Sequence, residues 1–235
     1  MILSSDDKFD LDQWYKNNYN QINATAVPNS LSNRILHKII EKPFKSNANL
    51  SILEVGANKG EHLPYVAADF TTYTMTDIRP LPKDGTIDEI RTNSKAEGVI
   101  NFQIADVQAL PFEDQMFDRV ISTCLFHHLD KPVEAFQELR RVTKIGGKIS
   151  ILIPNDPGIL YRTLRGVTTL LRAKKLGLYR EAQLFHAIEH RNHFLQLSVL
   201  LENEFKDAKI SYSYFPTKVK SYNFNALTVF HVALI

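Results

Sequence analysis

Hydrophobic positions along the chain change their spacing several times, and the changes divide it into elements. Short dense apolar runs at Leu50 to Val55, Thr72 to Thr76, Asn101 to Ile104, Arg119 to Thr123 and Lys148 to Ile153 have the length and β-branched content of buried strands. Between them the spacing predicts helices over about Lys59 to Ala68 and Pro132 to Val142, with Pro132 suited to a first turn. Strands alternating with helices mean a parallel sheet with crossover connections. After Pro154 the pattern predicts one long helix over 181–205, an alternating strand from Lys209 to Phe215 and a strongly apolar strand from Phe224 to Ile235. Two strands joined by a short link form an antiparallel hairpin at the sheet edge. The expected fold is therefore α/β, a doubly wound, mostly parallel seven-stranded sheet closed by an antiparallel C-terminal hairpin strand.

Ahead of this region, Leu31, Ile35, Leu36 and Ile39 recur at helical spacing, and Trp14, Tyr15 and Tyr19 stand in a polar surrounding. Residues 1–49 are read as a lid segment plus one helix. Residues 50–235 form the main domain, with an insertion on its substrate side at about 155–190.

Composition narrows the class. At 235 residues, 44% hydrophobic and 23% charged, the chain can bury a sizeable core. A net charge of +2 gives no case for nucleic acid as the main partner. The single cysteine, Cys124, excludes an internal disulfide and suits a reducing compartment. With no signal-peptide pattern and no apolar run of ~18 residues, the expectation is a cytoplasmic protein without stable membrane insertion.

The chemistry begins at Ser51-Ile-Leu-Glu-Val-Gly-Ala-Asn-Lys-Gly60, an apolar strand that meets Glu54 and then a turn built from Gly56, Asn58 and Gly60. Asn58 stands where a middle glycine is usual and is one of the few other residues that tolerates the left-handed region. A dinucleotide fingerprint needs glycines at 56, 58 and 61, and Asn58 and Glu61 disfavour hydride chemistry. Asp77 and Asp106 end the next two strands. On open α/β sheets ligands bind at the carboxyl ends of the strands, so Glu54, Asp77 and Asp106 mark one edge as the binding edge. Asp77 can accept both hydroxyls of a ribose, Asp106 can accept from an exocyclic amine, and Glu54 calls for a cation such as an aminoacyl ammonium.

These motifs in order, with Met75-Thr-Asp-Ile78, Ala105-Asp-Val-Gln-Ala-Leu-Pro-Phe-Glu-Asp-Gln-Met-Phe-Asp118, Phe126-His-His-Leu129 and Leu139-Arg-Arg-Val-Thr-Lys-Ile-Gly-Gly-Lys148, resemble class I S-adenosylmethionine-dependent methyltransferases of the small-molecule type. The resemblance implies a Rossmann-like sheet, S-adenosyl-L-methionine as cofactor and methyl transfer as the activity. It places Gly56 to Gly60 at the methionine part, Asp77 at the ribose and Asp106 with Val107 at the adenine. The implied cofactor set is Glu54, Gly56, Ala57, Asn58, Gly60, Asp77, Ile78, Asp106, Val107 and Cys124. The usual helix between the second and third strands is replaced by the irregular Pro80 to Gly98 stretch.

The acceptor side is less determined. Catalytic candidates are His127, beside His128 after the fourth strand, and His190 and His193 in the run His186-Ala-Ile-Glu-His-Arg-Asn-His193, whose spacing places three histidines on one face of the long helix. Neutral imidazole suits a base near neutral pH. The acceptor is expected to be a small molecule bearing an O or N nucleophile. The basic stretch Arg162 to Arg180 suggests an anionic one, and the Glu189-His-Arg-Asn-His-Phe194 run is similar to methyltransferases of surface-glycan pathways, whose acceptors are sugars or nucleotide-sugars. No metal is expected in this reading. Two alternatives stay open: a zinc-dependent hydrolase using His186, Glu189 and His190 in a His-x-x-Glu-His pattern, and a non-catalytic cofactor-binding module.

Overall fold

The structure, a computed structural model, describes residues 10–22, 31–44, 49–80 and 98–235. Most of the Pro80 to Gly98 stretch lies outside the described residues. Seven strands form one sheet: β1 (Leu50–Val55), β2 (Phe70–Asp77), β3 (Val99–Ile104), β4 (Phe117–Thr123), β5 (Thr143–Pro154), β6 (Lys209–Phe215) and β7 (Leu227–Ala233), in the order β3-β2-β1-β4-β5-β7-β6. β1 to β5 pair in parallel, and β7 runs antiparallel to both β5 and β6. This is the expected sheet. The strand order reverses at β1 and β4, and the cleft at that switch is where a ligand fits.

Successive residues of a strand face opposite sides, and the core divides accordingly. Leu53, Val55, Val120, Ile149 and Ile151 face helices α2 (Pro132–Val142) and α6 (Phe194–Glu204), which contribute Phe136, Leu139, Leu197 and Leu201. Ile52, Tyr73, Met75, Ile121 and Leu152 form the second layer, under Leu36 and Ile40 of α1 (Leu31–Glu41). The sheet is thus covered on both faces, as a buried parallel sheet requires. Helices α3 (Ile159–Arg165), α4 (Leu171–Lys175) and α5 (Tyr179–Glu189) follow β5. Ala173, Ala182 and Phe185 from these segments bury Trp14, which lies in the helical turns of residues 11–22.

Two predicted helices differ. The segment after β1 makes turns and a single 3-10 turn, Leu63–Tyr65, rather than a helix over 59–68. Pro64 sits there, and buried His62 is drawn to Glu41 Oε1 at 2.9 Å instead of following a helical face. The long helix over 181–205 is two helices, α5 and α6, broken at 190–193. Buried Asn192 makes the break: its Nδ2 donates to the carbonyls of Phe126 and Leu129 at 3.2 and 2.6 Å, and its backbone N–H donates to that of His127. Those carbonyls belong to the turn after β4, some sixty residues away in sequence, so local propensity could not show it.

Candidate functional site

Four strand ends and the walls above them enclose a cavity of about 530 Å³. Its floor is the loop after β1. Gly56, Asn58 and Gly60 have φ of +67°, +49° and +72°, all in the left-handed region, which Gly adopts freely and Asn better than most residues. A Cβ on Gly56 would lie 2.9 Å from Leu125 Cδ2 and push that side chain aside, and the positive φ strains any L side chain there. Two hydrogen bonds fix the loop to β2: the Ala57 N–H to the Thr76 carbonyl at 2.9 Å and the Asn58 N–H to Asp77 Oδ2 at 3.0 Å.

Each of the three strand-end carboxylates lines the cavity and has a different surrounding. Glu54 is 1% exposed, and Tyr73 Oη donates to its Oε2 at 2.8 Å. Burial pushes its pKa up to about 7, outweighing the nearby His62 and the hydrogen bond from Tyr73, which favour the charged form. Asp77 accepts from the backbone of Asn58 and, through Oδ1, from the N–H of Arg79 at 3.0 Å. Asp106 closes its own turn by accepting from the Gln108 N–H at 2.9 Å. Ala57, Ile78, Val107 and Cys124 also line the cavity, and the Cys124 thiol is pushed up to about 12 by burial, so it is no nucleophile at neutral pH.

The opposite wall comes from α5, the turn after β4 and the N-terminal helical turns, through Phe185, Glu189, His128, Tyr15 and Tyr19. His128 Nδ1 lies 3.0 Å from the Glu189 carbonyl oxygen and 3.4 Å from its Oε2. A carbonyl only accepts, so Nδ1 carries a proton, and in the neutral ring Nε2 is the nitrogen with the lone pair. The hydrogen bond from His128 holds the Glu189 carboxyl below its usual range.

The histidines predicted as catalytic separate. His127 is 5% exposed, packs behind His128 with ring centroids 3.9 Å apart, and is held well below its ordinary pKa by burial. It does not line the cavity. His190 ends α5 behind the same wall; its Nδ1 hydrogen-bonds Asp156 Oδ2 at 2.8 Å, and burial brings its pKa down to about 4. His193, expected on one helix face with His186 and His190, is instead carried by the helix break to the exposed start of α6, outside the cavity lining. The His-x-x-Glu-His pattern also dissolves, since Glu189 turns to His128 while His186 and His190 turn to Asp156. Glu189 therefore does not stand beside those two histidines as the pattern requires, which removes the basis of the hydrolase reading. The basic stretch Arg162 to Arg180 is not part of the cavity wall; among the described residues its lysine and arginine lining comes from Arg79 and Arg191. His128 was visible in the sequence only as the neighbour of His127, and the choice between them rests on which ring faces the cavity.

Comparison with known proteins agrees with this geometry. Residues 53–151 match a family model described as a methyltransferase domain. A demethylmenaquinone methyltransferase of Renibacterium salmoninarum is 31% identical over 101 residues, which is 41% of this chain and 43% of that protein. The chain thus spans less than half the length of that curated relative. A structure of an S-adenosylmethionine-dependent methyltransferase from Thermotoga maritima aligns with a TM-score of 0.55 at 14% identity, covering 95% of this chain and 94% of that one. A second, from Aquifex aeolicus, aligns with a TM-score of 0.54 at 14% identity over 97% and 100%. The sheet order and the loop after β1 are those of the fold these methyltransferase structures share, and the match to the methyltransferase-domain model falls on the strands that carry the cavity.

Proposed function

We propose that the protein transfers the methyl group of S-adenosylmethionine to an oxygen or nitrogen of a small polar molecule. The observation that carries this reading is the cavity itself, where three strand-end carboxylates line one side and an oriented histidine the other. In this reading Glu54 receives the amino acid's ammonium, the Gly56 to Gly60 loop approaches the methionine part, Asp77 accepts from the ribose hydroxyls, and Asp106, Val107 and Ile78 surround the adenine. A carboxylate offers about four lone-pair sites, so Asp77 and Asp106 retain acceptor capacity beyond their backbone partners.

The sulfonium methyl is already electrophilic, and the protein's contribution is positioning and proton removal. The acceptor's lone pair forms the new bond to the methyl carbon, the carbon–sulfur bond breaks with its electron pair left on sulfur, and His128 Nε2 takes the acceptor's proton. Glu189 stabilises the resulting imidazolium. Tyr15, Tyr19 and Phe185 beside Arg79, Arg191, Asp130 and Glu189 make a wall of aromatic faces and hydrogen-bonding groups, which suits a hydroxyl-rich acceptor such as a sugar or nucleotide-sugar. The N-terminal helical turns form part of that cover.

Calorimetry with S-adenosylhomocysteine and labelled-methyl transfer to a panel of hydroxyl and amine acceptors test the reading; absence of cofactor binding by the intact protein overturns it. Replacing His128 by Ala is expected to lower kcat by about 10²- to 10⁴-fold, the usual range for a lost acid–base group, with cofactor affinity unchanged. An equal loss in His127→Ala with none in His128→Ala would move the base elsewhere.

Glu54 sets the pH dependence of cofactor binding. In the free protein its pKa is about 7, and the cofactor's ammonium favours the carboxylate form. Binding below pH 7 must therefore expel the proton, so affinity rises with pH and levels off above about 7. At pH 6 roughly nine-tenths of Glu54 is protonated, which predicts an apparent Kd about tenfold weaker than the plateau. Calorimetry in buffers of different ionisation enthalpy should show close to one proton released at pH 6, and none in Glu54→Gln; a pH-independent Kd in the native protein would refute the assignment.

A further inference from the structure

Behind the cavity wall, four histidines and an aspartate converge from three parts of the chain. Asp156 follows β5, His127 lies in the turn after β4, and His186 and His190 stand one turn apart on α5, with His190 at its end. Asp156 Oδ2 is 3.1 Å from His186 Nε2 and 2.8 Å from His190 Nδ1, and one donor atom from each of these residues lies within 4.8 Å of the others. His127, His128 and His190 meet the same condition. Four ligands at the usual zinc distances sit roughly 3.4 Å from one another in a tetrahedron, so the Asp156 set needs only a small expansion to admit an ion.

The polar accounting of this cluster is incomplete without one. His127 Nδ1 is buried with no hydrogen-bond partner, and His186 Nε2, also buried, faces Asp156 without a well-directed hydrogen bond. Buried polar atoms are nearly always paired, and an unpaired one costs about 1–3 kcal/mol. Here the unpaired His127 Nδ1 and the poorly directed His186 Nε2 fall in a single cluster, on rings 4.5 Å and 3.8 Å from that of His190.

We infer that Asp156, His186 and His190, with His127 beside them, bind one divalent transition-metal ion of the zinc class. Two imidazoles and a carboxylate are borderline donors that suit zinc, cobalt, iron or manganese rather than calcium. The ion ties α5 to the chain after β5 and β4. Those are the elements that carry Phe185, Glu189 and His128 into the cavity, so its role is to hold that wall in place. It performs no hydrolysis, since Glu189 is engaged elsewhere. The site does not depend on which acceptor is methylated, or on methyl transfer at all.

The test is a titration of chelator-treated full-length protein with Co²⁺, read by the visible d–d absorption of cobalt in a nitrogen–oxygen site, followed by displacement with Zn²⁺. One equivalent is expected, with Zn²⁺ raising the thermal midpoint. Asp156→Asn and His186→Ala should each weaken binding at least 100-fold, while His193→Ala, on the surface outside the cluster, should not change it. Circular dichroism and S-adenosylhomocysteine binding establish that the variants are folded. No spectral change and no zinc binding in the native protein would overturn the inference. Stoichiometric binding that survives in the folded Asp156→Asn/His186→Ala double variant would overturn it equally, by placing the metal elsewhere.

Discussion

Asp77→Ala is expected to weaken S-adenosylmethionine and S-adenosylhomocysteine by at least about 100-fold, the largest loss of cofactor affinity expected of any single side chain in the site. Two effects add. Hydrogen bonds to a charged acceptor contribute about 1.5–3 kcal/mol each, and a ribose offers two hydroxyls. The same carboxylate also accepts the Asn58 N–H at 3.0 Å. That bond holds a non-glycine residue at φ +49°, so its loss frees the loop to relax toward conformations that do not fit the cofactor. Asp77→Asn keeps the size and one acceptor and should lose less, about tenfold. Calorimetry distinguishes the two variants; equal affinities for Asp77→Ala and the native protein would remove Asp77 from the cofactor site and, with it, the proposed binding mode.

The largest effect on stability is expected at Glu41, a residue that no pattern along the chain singles out. It ends α1, yet its buried carboxylate makes a two-pronged contact with Arg119 of β4, Nη1 to Oε2 at 2.9 Å and Nη2 to Oε1 at 2.6 Å. Oε1 also meets His62 Nε2 at 2.9 Å, and Oε2 accepts the Ala67 N–H at 2.9 Å. Phe44 lies over the guanidinium at 3.6 Å. Burial raises the Glu41 pKa, but the hydrogen bonds from His62 and Arg119 outweigh it and bring it down to about 2. Its contribution is therefore fully present above pH 4.5 and lost as pH falls through about 2.

Glu41→Gln leaves Arg119, 1% exposed, as an uncompensated buried cation. Breaking such a pair costs about 3–5 kcal/mol. For a chain of this size that is a fall in Tm of roughly 6–20 °C. Removing both charges in Glu41→Leu/Arg119→Met should cost less than the sum of the two single changes, because neither charge is then stranded. Thermal denaturation of the four proteins measures this, and strict additivity would show that the pair is not coupled. The network also carries His37 and His62 to the cavity edge, with Nδ1 atoms 2.9 Å apart. Burial, more than the neighbouring imidazole, lowers His37 to about 3, so it stays neutral across the physiological range.

Glu41, His62 and Arg119 show where sequence reading stops. Each carries a charge pattern ordinary for a surface, and they come from a helix, a turn and a strand. Only the docking of α1 across the sheet brings them together and removes water, and no local spacing encodes that docking. Asn192 is the same case: a polar residue in a helical pattern gave no sign that backbone carbonyls of the β4 turn would break the helix around it. His193 was placed with His186 and His190 by helical periodicity, and the break at Asn192 is what separates them.

What the chain determined by itself was the strand pattern, which depends on local periodicity, and the loop after β1, which depends on single-residue conformational preference. The dense apolar runs specify the central strands because a strand buried on both faces must be apolar throughout, while β3 and β6, at the two edges, are more polar and partly exposed. The switch from parallel to antiparallel pairing followed from connection length, and Gly56, Asn58 and Gly60 announced the loop because few residues accept positive φ. The strand-end carboxylates were legible for the same reason, since their positions follow directly from where the strands stop. The tertiary structure alone decided which histidine faces the cavity, that Glu189 serves His128 rather than its helix neighbours, and that Asp156 joins His186 and His190. Those outcomes depend on distances between segments tens of residues apart, fixed by how helices pack on the two faces of the sheet.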